Sequence, residues 1–283
     1  MPGMLEMTRT VRFCLEDGVT GTSMDAPLGR PRHNTYSAWP AMRGLGRYYE
    51  LSVTCRGDVD AQTGYCINIH EIDEAVREHV LPDLLDMVND PGSTPSNIAL
   101  GELMQRMVRL LFEPLGDRVA AVTLHLSPRY NVRIWSDEMD YVVIRQQYEF
   151  SAAHRLHVPA LSDAENQRIF GKCNNPAGHG HNYRLEVAVR APINETGRSL
   201  DVEELDQAVH QHVLEHLDHT HLNQDVPAFA ELNPSVENIA QVIWQMLREP
   251  VRRLGPAAEA ARLEEIRVWE TEKTVCTYQG ERD

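Results

Sequence analysis

The sequence predicts an α+β chain of two tandem modules, each a four-stranded antiparallel sheet with two helices on one face (ββααββ). Three observations lead there. A length of 283 residues suits two domains of about 140 better than one compact core. Two stretches repeat: Ile67–Asp86 (INIHEIDEAVREHVLPDLLD) and Leu200–His219 (LDVEELDQAVHQHVLEHLDH) share Glu71/Glu204, Asp73/Asp206, Val76/Val209, His79/His212, Val80/Val213 and Leu84/Leu217 at an offset of 133. GLGRYYELSV from Gly44 then matches GHGHNYRLEV from Gly178 at an offset of 134, and PSNIA from Pro95 resembles PSVENIA from Pro234. Similarity kept in order at a nearly fixed offset marks a duplicated module.

The second copy sets the grammar. Tyr141–Phe150, rich in β-branched and aromatic residues, predicts a strand. Tyr183, Leu185, Val187 and Val189 alternate with polar residues and predict a second, with one face buried. Asn194–Gly197 supplies turn chemistry, and Asp201 with Glu204 three residues on predicts a capping box. Leu205, Ala208, Val209, Val213 and Leu217 follow at helical spacing. A second helix begins near Ser235 with Ile239, Val242, Ile243, Met246 and Leu247 as its apolar stripe, and Ile266–Trp269 with Val275–Tyr278 closes the module as a hairpin. The first copy repeats the pattern over Thr10–Leu15, Tyr48–Cys55, Ile69–Leu84, Asn97–Phe112, Val119–Leu126 and Val132–Trp135. The predicted domains are 1–136 and 137–283, with the junction within 127–142.

Composition narrows the function classes. A hydrophobic content of 42% with 24% charged residues predicts folded rather than disordered chain. The net charge of −15 argues against a broad nucleic-acid or anionic-membrane surface, since both reward Lys and Arg. Met1–Arg12 has no apolar stretch suited to a signal peptide, and no run is long enough to span a bilayer. Cys14, Cys55, Cys66, Cys173 and Cys276 are scattered and odd in number, which suits a reducing cytoplasm. A soluble, cytoplasmic protein is expected.

Chemistry gathers in the second copy. His179 and His181, two apart at a strand start, put both imidazoles on one face. His154 ends the preceding strand. Three histidines converging from two strand ends make the open ligand set that zinc uses in catalysis, although HxH alone is more often a surface pair. Three imidazoles also accept iron, nickel or copper. Cys173, in the loop-like GKCNNPAG, is either a small buried thiol or, beside Lys172 and a metal, a thiolate base. Asp218 and His219 end the first helix, where a histidine can simply complement the macrodipole. Glu270, in VWETEKTV, is either a solvated hairpin acid or an acceptor for a guanidine-like edge.

FSAAHRL at Phe150, IFGKCNNPAGHGHNY at Ile169, LDHTHLNQDVPAF at Leu217, PSVENIA at Pro234 and WETEK at Trp269 occur in the order of the signature segments of the 6-pyruvoyl-tetrahydropterin synthase family. Tyr141–Gly280 resembles that family throughout. The resemblance implies the tunnelling fold, Zn2+ on His154, His179 and His181, and a proton-transfer triad of Cys173, Asp218 and His219. It implies Glu270 as the anchor of the pterin 2-amino and N3 groups, and 7,8-dihydroneopterin triphosphate as substrate, losing triphosphate to give 6-pyruvoyl-tetrahydropterin. Lys172, Arg155 and Arg168 are candidates for the triphosphate by proximity in sequence. Five residues, Asn174–Gly178, separate Cys173 from the HxH. That spacing favours the pyruvoyl product over the 6-carboxytetrahydropterin of relatives whose cysteine lies closer. A retired pterin-binding scaffold is the third alternative.

In the first copy His179 and His181 align with Leu45 and Arg47, His154 with about Asp17, and Cys173 with Trp39. Asp218 and His219 align with Leu85 and Asp86, and Glu270 falls near Ser127. Every proposed functional position has changed while the scaffold pattern survives. A degenerate partner module without metal is expected, in a homo-oligomer that is a dimer or a trimer of two-module chains.

Overall fold

The computed structural model describes residues 4–15, 47–90, 92, 98–256 and 261–280. The positions aligned with His154, Cys173 and His179 in the first copy (Asp17, Trp39 and Leu45) lie outside these. The chain divides into two compact units, Met1–Val142 with Ile193–Ser199, and Val143–Pro192 with Leu200–Asp283. Among the described residues no helix is long and apolar enough to cross a membrane.

In the first unit β1 (Leu5–Leu15), β2 (Arg47–Gly57), β3 (Val119–Ser127) and β4 (Tyr130–Trp135) pair antiparallel in that order. Period-two alternation sends Val11, Phe13 and Leu15 into the core. Helices α1 (Ile69–Ala75), α2 (Leu81–Asn89) and α3 (Leu100–Leu115) follow β2. A π-helical turn, Val76–Val80, joins α1 to α2, so the expected single helix carries one wide turn. Arg9 of β1 donates to Asp73 of α1 at 2.9 Å, tying helix to strand.

The second unit is built on most of β5 (Glu138–His154) with β6 (His179–Pro192), β8 (Arg262–Thr271) and β9 (Thr274–Tyr278), in the sheet order β5-β6-β8-β9. The β6–β8 and β8–β9 pairs are antiparallel, while the two-residue β7 (Thr220–His221) runs parallel to β5. Asp201 and Glu204 form the predicted capping box of α5 (Val202–Val209). A π-helical turn, His210–Leu214, again follows, and α6 (Glu215–Leu217) ends the segment. Tyr148 of β5 donates to Asp206 of α5 at 2.8 Å, tying helix to strand here too.

Two helices without sequence-based expectation are α4 (Asp163–Phe170), opened by a Ser162–Glu165 capping box, and α7 (Leu222–Asp225). The long α8 (Val236–Arg252) is capped by Ser235 and lays Ile239, Ile243 and Leu247, all fully buried, on β8 and β9. Residues 127–142, expected to hold the junction, are mostly strand: β4 and the start of β5 run through them, joined by tight turns.

Candidate metal centre and active site

His154, the last residue of β5, is fully buried. Its Nδ1 lies 2.7 Å from the carbonyl of Pro234. A carbonyl only accepts, so Nδ1 carries the proton and the neutral ring presents a bare Nε2. That Nε2 is 3.1 Å from Nε2 of His179. His179 and His181 open β6 on the face that Tyr183 and Leu185 continue into the core. One ring nitrogen from each of the three histidines lies within 4.8 Å of the others. His179 Nδ1 and His181 Nε2 are buried with no hydrogen-bond partner.

Burial holds the His154 pKa down at about 4, against a partial upward pull from the Pro234 carbonyl. Burial likewise lowers that of His181, which the Glu270 carboxylate opposes. Ring nitrogens clustered this closely, with two buried ones left without a hydrogen-bond partner, suit a shared cation. The donor set fits one: three imidazoles, one with its tautomer fixed by a backbone carbonyl, as metal-ligating histidines usually have.

Glu270, near the end of β8, approaches the same nitrogens. Its Oε1 is 3.6 Å from Nε2 of His154 and 3.8 Å from Nε2 of His181. The register Arg184↔Trp269 carries it to the mouth of the histidine cluster.

Asp218 and His219 form a pair beside the C-terminal end of β5. Asp218 Oδ2 lies 2.8 Å from Nδ1 of His219, and its Oδ1 accepts the Ser151 N–H at 2.7 Å. The His219 N–H in turn donates to the Ser151 carbonyl. His219 adopts φ 57°, the one non-glycine positive φ recorded among the described residues, and its side chain is 83% exposed. The Ser151 N–H bond, ahead of the His219 contact, holds the Asp218 carboxyl below the usual carboxylate range. The dyad is therefore formed, and its imidazole faces solvent.

Cys173 sits half-buried in a 3-10 turn, Gly171–Asn174. Its carbonyl accepts the Leu156 N–H at 2.8 Å, two residues past His154. Arg155 of the triphosphate candidates is half-buried and hydrogen-bonded, whereas Arg168 and Lys172 are exposed.

Three contributors gave no sequence signal of their own. They are the Pro234 carbonyl, the Ser151 main chain, and His221, which packs beside Gly178 at the head of β6. The first two act through the backbone, which any residue supplies. Nothing distinguishes His221 from the other histidines of its segment until β7 pairs Ala153 with it.

The family model described as 6-pyruvoyl tetrahydropterin synthase matches residues 143–281. A Drosophila melanogaster protein named 6-pyruvoyl tetrahydrobiopterin synthase is 44% identical over 132 residues, covering 46% of this chain and 75% of that one. The Homo sapiens protein of the same name is 39% identical over 139 residues, covering 49% of this chain and 91% of its own. The solved structure of Caenorhabditis elegans 6-pyruvoyl tetrahydropterin synthase aligns at 36% identity with a TM-score of 0.44, over 50% of this chain and 96% of that chain.

Proposed function

The chain belongs to the 6-pyruvoyl tetrahydropterin synthase family, and from that premise we propose that its second half is a zinc-dependent lyase converting 7,8-dihydroneopterin triphosphate to 6-pyruvoyl-tetrahydropterin. The observation that carries the proposal is the convergence of three imidazoles, from His154, His179 and His181, on one point beside Glu270. Zn2+ held there would act as a Lewis acid on the side-chain hydroxyls of the substrate and acidify the neighbouring C–H bonds.

The chain's own groups then move protons. Cys173 as thiolate takes one from the substrate side chain, and His219, oriented through its Nδ1 by Asp218, carries another. Triphosphate departs with the C–O bond pair, and the protons taken from the side chain return to the ring and to the terminal carbon. The side chain is oxidised as the ring is reduced, so no external oxidant enters.

For Glu270 we favour the metal end of the pocket over the 2-amino edge of the pterin. That edge is the far end of the bicycle from the side chain, while the carboxylate lies against the ligand nitrogens. Glu270 then accepts a hydrogen bond from a side-chain hydroxyl.

Residues 1–136 are read as a degenerate module without metal ligands and 137–283 as the synthase module. The matching strand-to-helix bonds at Asp73 and Asp206, and the π-helical turns at Val76–Val80 and His210–Leu214, support a duplication. The exposure of His219 supports a homo-oligomer, a dimer or trimer of two-module chains, in which the dyad is enclosed on assembly.

The test is Cys173→Ala on the full chain. Product formation should fall by at least about a hundredfold, the usual scale of a lost proton-transfer group, with zinc content unchanged. Full activity in that variant would remove Cys173 as the base.

A further inference from the structure

Arg155 follows the metal ligand His154 directly, and its backbone and side chain both hold other segments of the site. The Arg155 N–H donates to Asn223 Oδ1 at 2.8 Å, and the Asn223 amide returns a bond to the Arg155 carbonyl at 3.0 Å. Asn223 stands four residues beyond His219, so this clamp joins the dyad segment to the end of β5. The Arg155 Nε–H donates to the carbonyl of Asn174 at 3.1 Å, the residue after Cys173. Alongside it, Leu156 N–H bonds the Cys173 carbonyl at 2.8 Å, and the Asn174 side chain donates to the Leu156 carbonyl at 2.8 Å.

We propose that Arg155 is a positioning residue for Cys173, fixing the cysteine turn against the metal-ligand strand and the dyad segment, rather than a contact for the triphosphate. The proposal rests on the reading of Cys173 as base. The physical case is one of restraint. The 3-10 turn Gly171–Asn174 is four residues long and lies between α4 and β6, and its carbonyls at Cys173 and Asn174 are both taken by the 155–156 main chain and side chain. The guanidinium fork donates in a fixed plane, so its Nε bond sets direction as well as distance. An error of about 1 Å in placing a base costs on the order of a hundredfold in rate.

The experiment compares full-length wild type, Arg155→Met, Arg155→Lys and Cys173→Ala for zinc content, KM, kcat and the alkylation rate of Cys173 followed by peptide mass mapping. Methionine keeps an apolar stem without the donors. Arg155→Met should lose about 10- to 100-fold in kcat, the range for residues that orient a site from behind. Zinc content and KM should hold, the Cys173 alkylation rate should change, and Arg155→Lys, with an ammonium in place of the planar fork, should recover part of kcat. Wild-type kcat in Arg155→Met would overturn the proposal. So would a raised KM with kcat intact, which marks a phosphate contact, or loss of zinc, which marks support of the metal. If Arg155→Met does not fold, wild-type kcat and alkylation rate in Arg155→Lys overturn it, and a reduced kcat with zinc retained supports it. Failure of the underlying reading is separate: Cys173→Ala would then stay active.

Discussion

His154 holds its proton on Nδ1 because Pro234 offers only a carbonyl, and this one bond decides which nitrogen is free for a cation. The depressed pKa, about 4 against an ordinary 6.5, has a consequence for stability. The native ring stays neutral while the unfolded one takes a proton, so the unfolded state binds more protons between the two values. Stability is complete above about pH 6.5 and falls as pH drops toward 4, by about 3 kcal/mol from this buried group alone. Denaturant melts of the metal-free chain at pH 7 and pH 4.5 measure it, and His154→Gln should flatten the difference. At this scale the convergence of His154, His179 and His181 was legible from side-chain type and spacing. The groups that orient them were not, since Pro234 and Ser151 act through backbone atoms. The approach of Glu270 to His154 and His181 was not legible either, since it depends on the β6–β8 register.

The head of β6 illustrates control at the scale of an element. Gly178 adopts φ +71°, and a Cβ there would lie 2.8 Å from Nε2 of His221 and 3.0 Å from the His154 carbonyl. The left-handed backbone costs a non-glycine residue about 1–2 kcal/mol before any clash. Gly178→Ala should therefore weaken zinc binding by about tenfold or more, read by competition with a chromophoric chelator. Strands and caps were the most legible parts of this chain, because alternation in Tyr183–Val189 and the Asp201–Glu204 pair each have one physical meaning. The π-helical turns were not legible, since the apolar spacing of Leu205–Leu217 is compatible with an unbroken helix. The helix α4 escaped for another reason. Its short sequence DAENQRIF carries little apolar stripe, and its start rests on the Ser162–Glu165 box alone.

At the scale of the whole molecule the chain divides into two compact units. The histidines, the cysteine and the dyad lie in the second unit, while Arg47, Leu85 and Asp86 stand in the first at the positions the sequence alignment sets against His181, Asp218 and His219. If the first half is a structural partner, light scattering of the full chain should give a mass of two or three chains, and a monomer would sink that reading. The two stretches that look alike in sequence each place an aspartate, Asp73 or Asp206, in a helix where it bonds a strand residue, Arg9 or Tyr148. The pyruvoyl chemistry rests on the spacing of Cys173 from His179 and on the relatives named above. Incubation of the zinc-loaded full chain with 7,8-dihydroneopterin triphosphate, followed by mass spectrometry of the products, tests it most directly. Free triphosphate with 6-pyruvoyl-tetrahydropterin is the predicted result. Unchanged substrate, or 6-carboxytetrahydropterin in its place, would contradict the account.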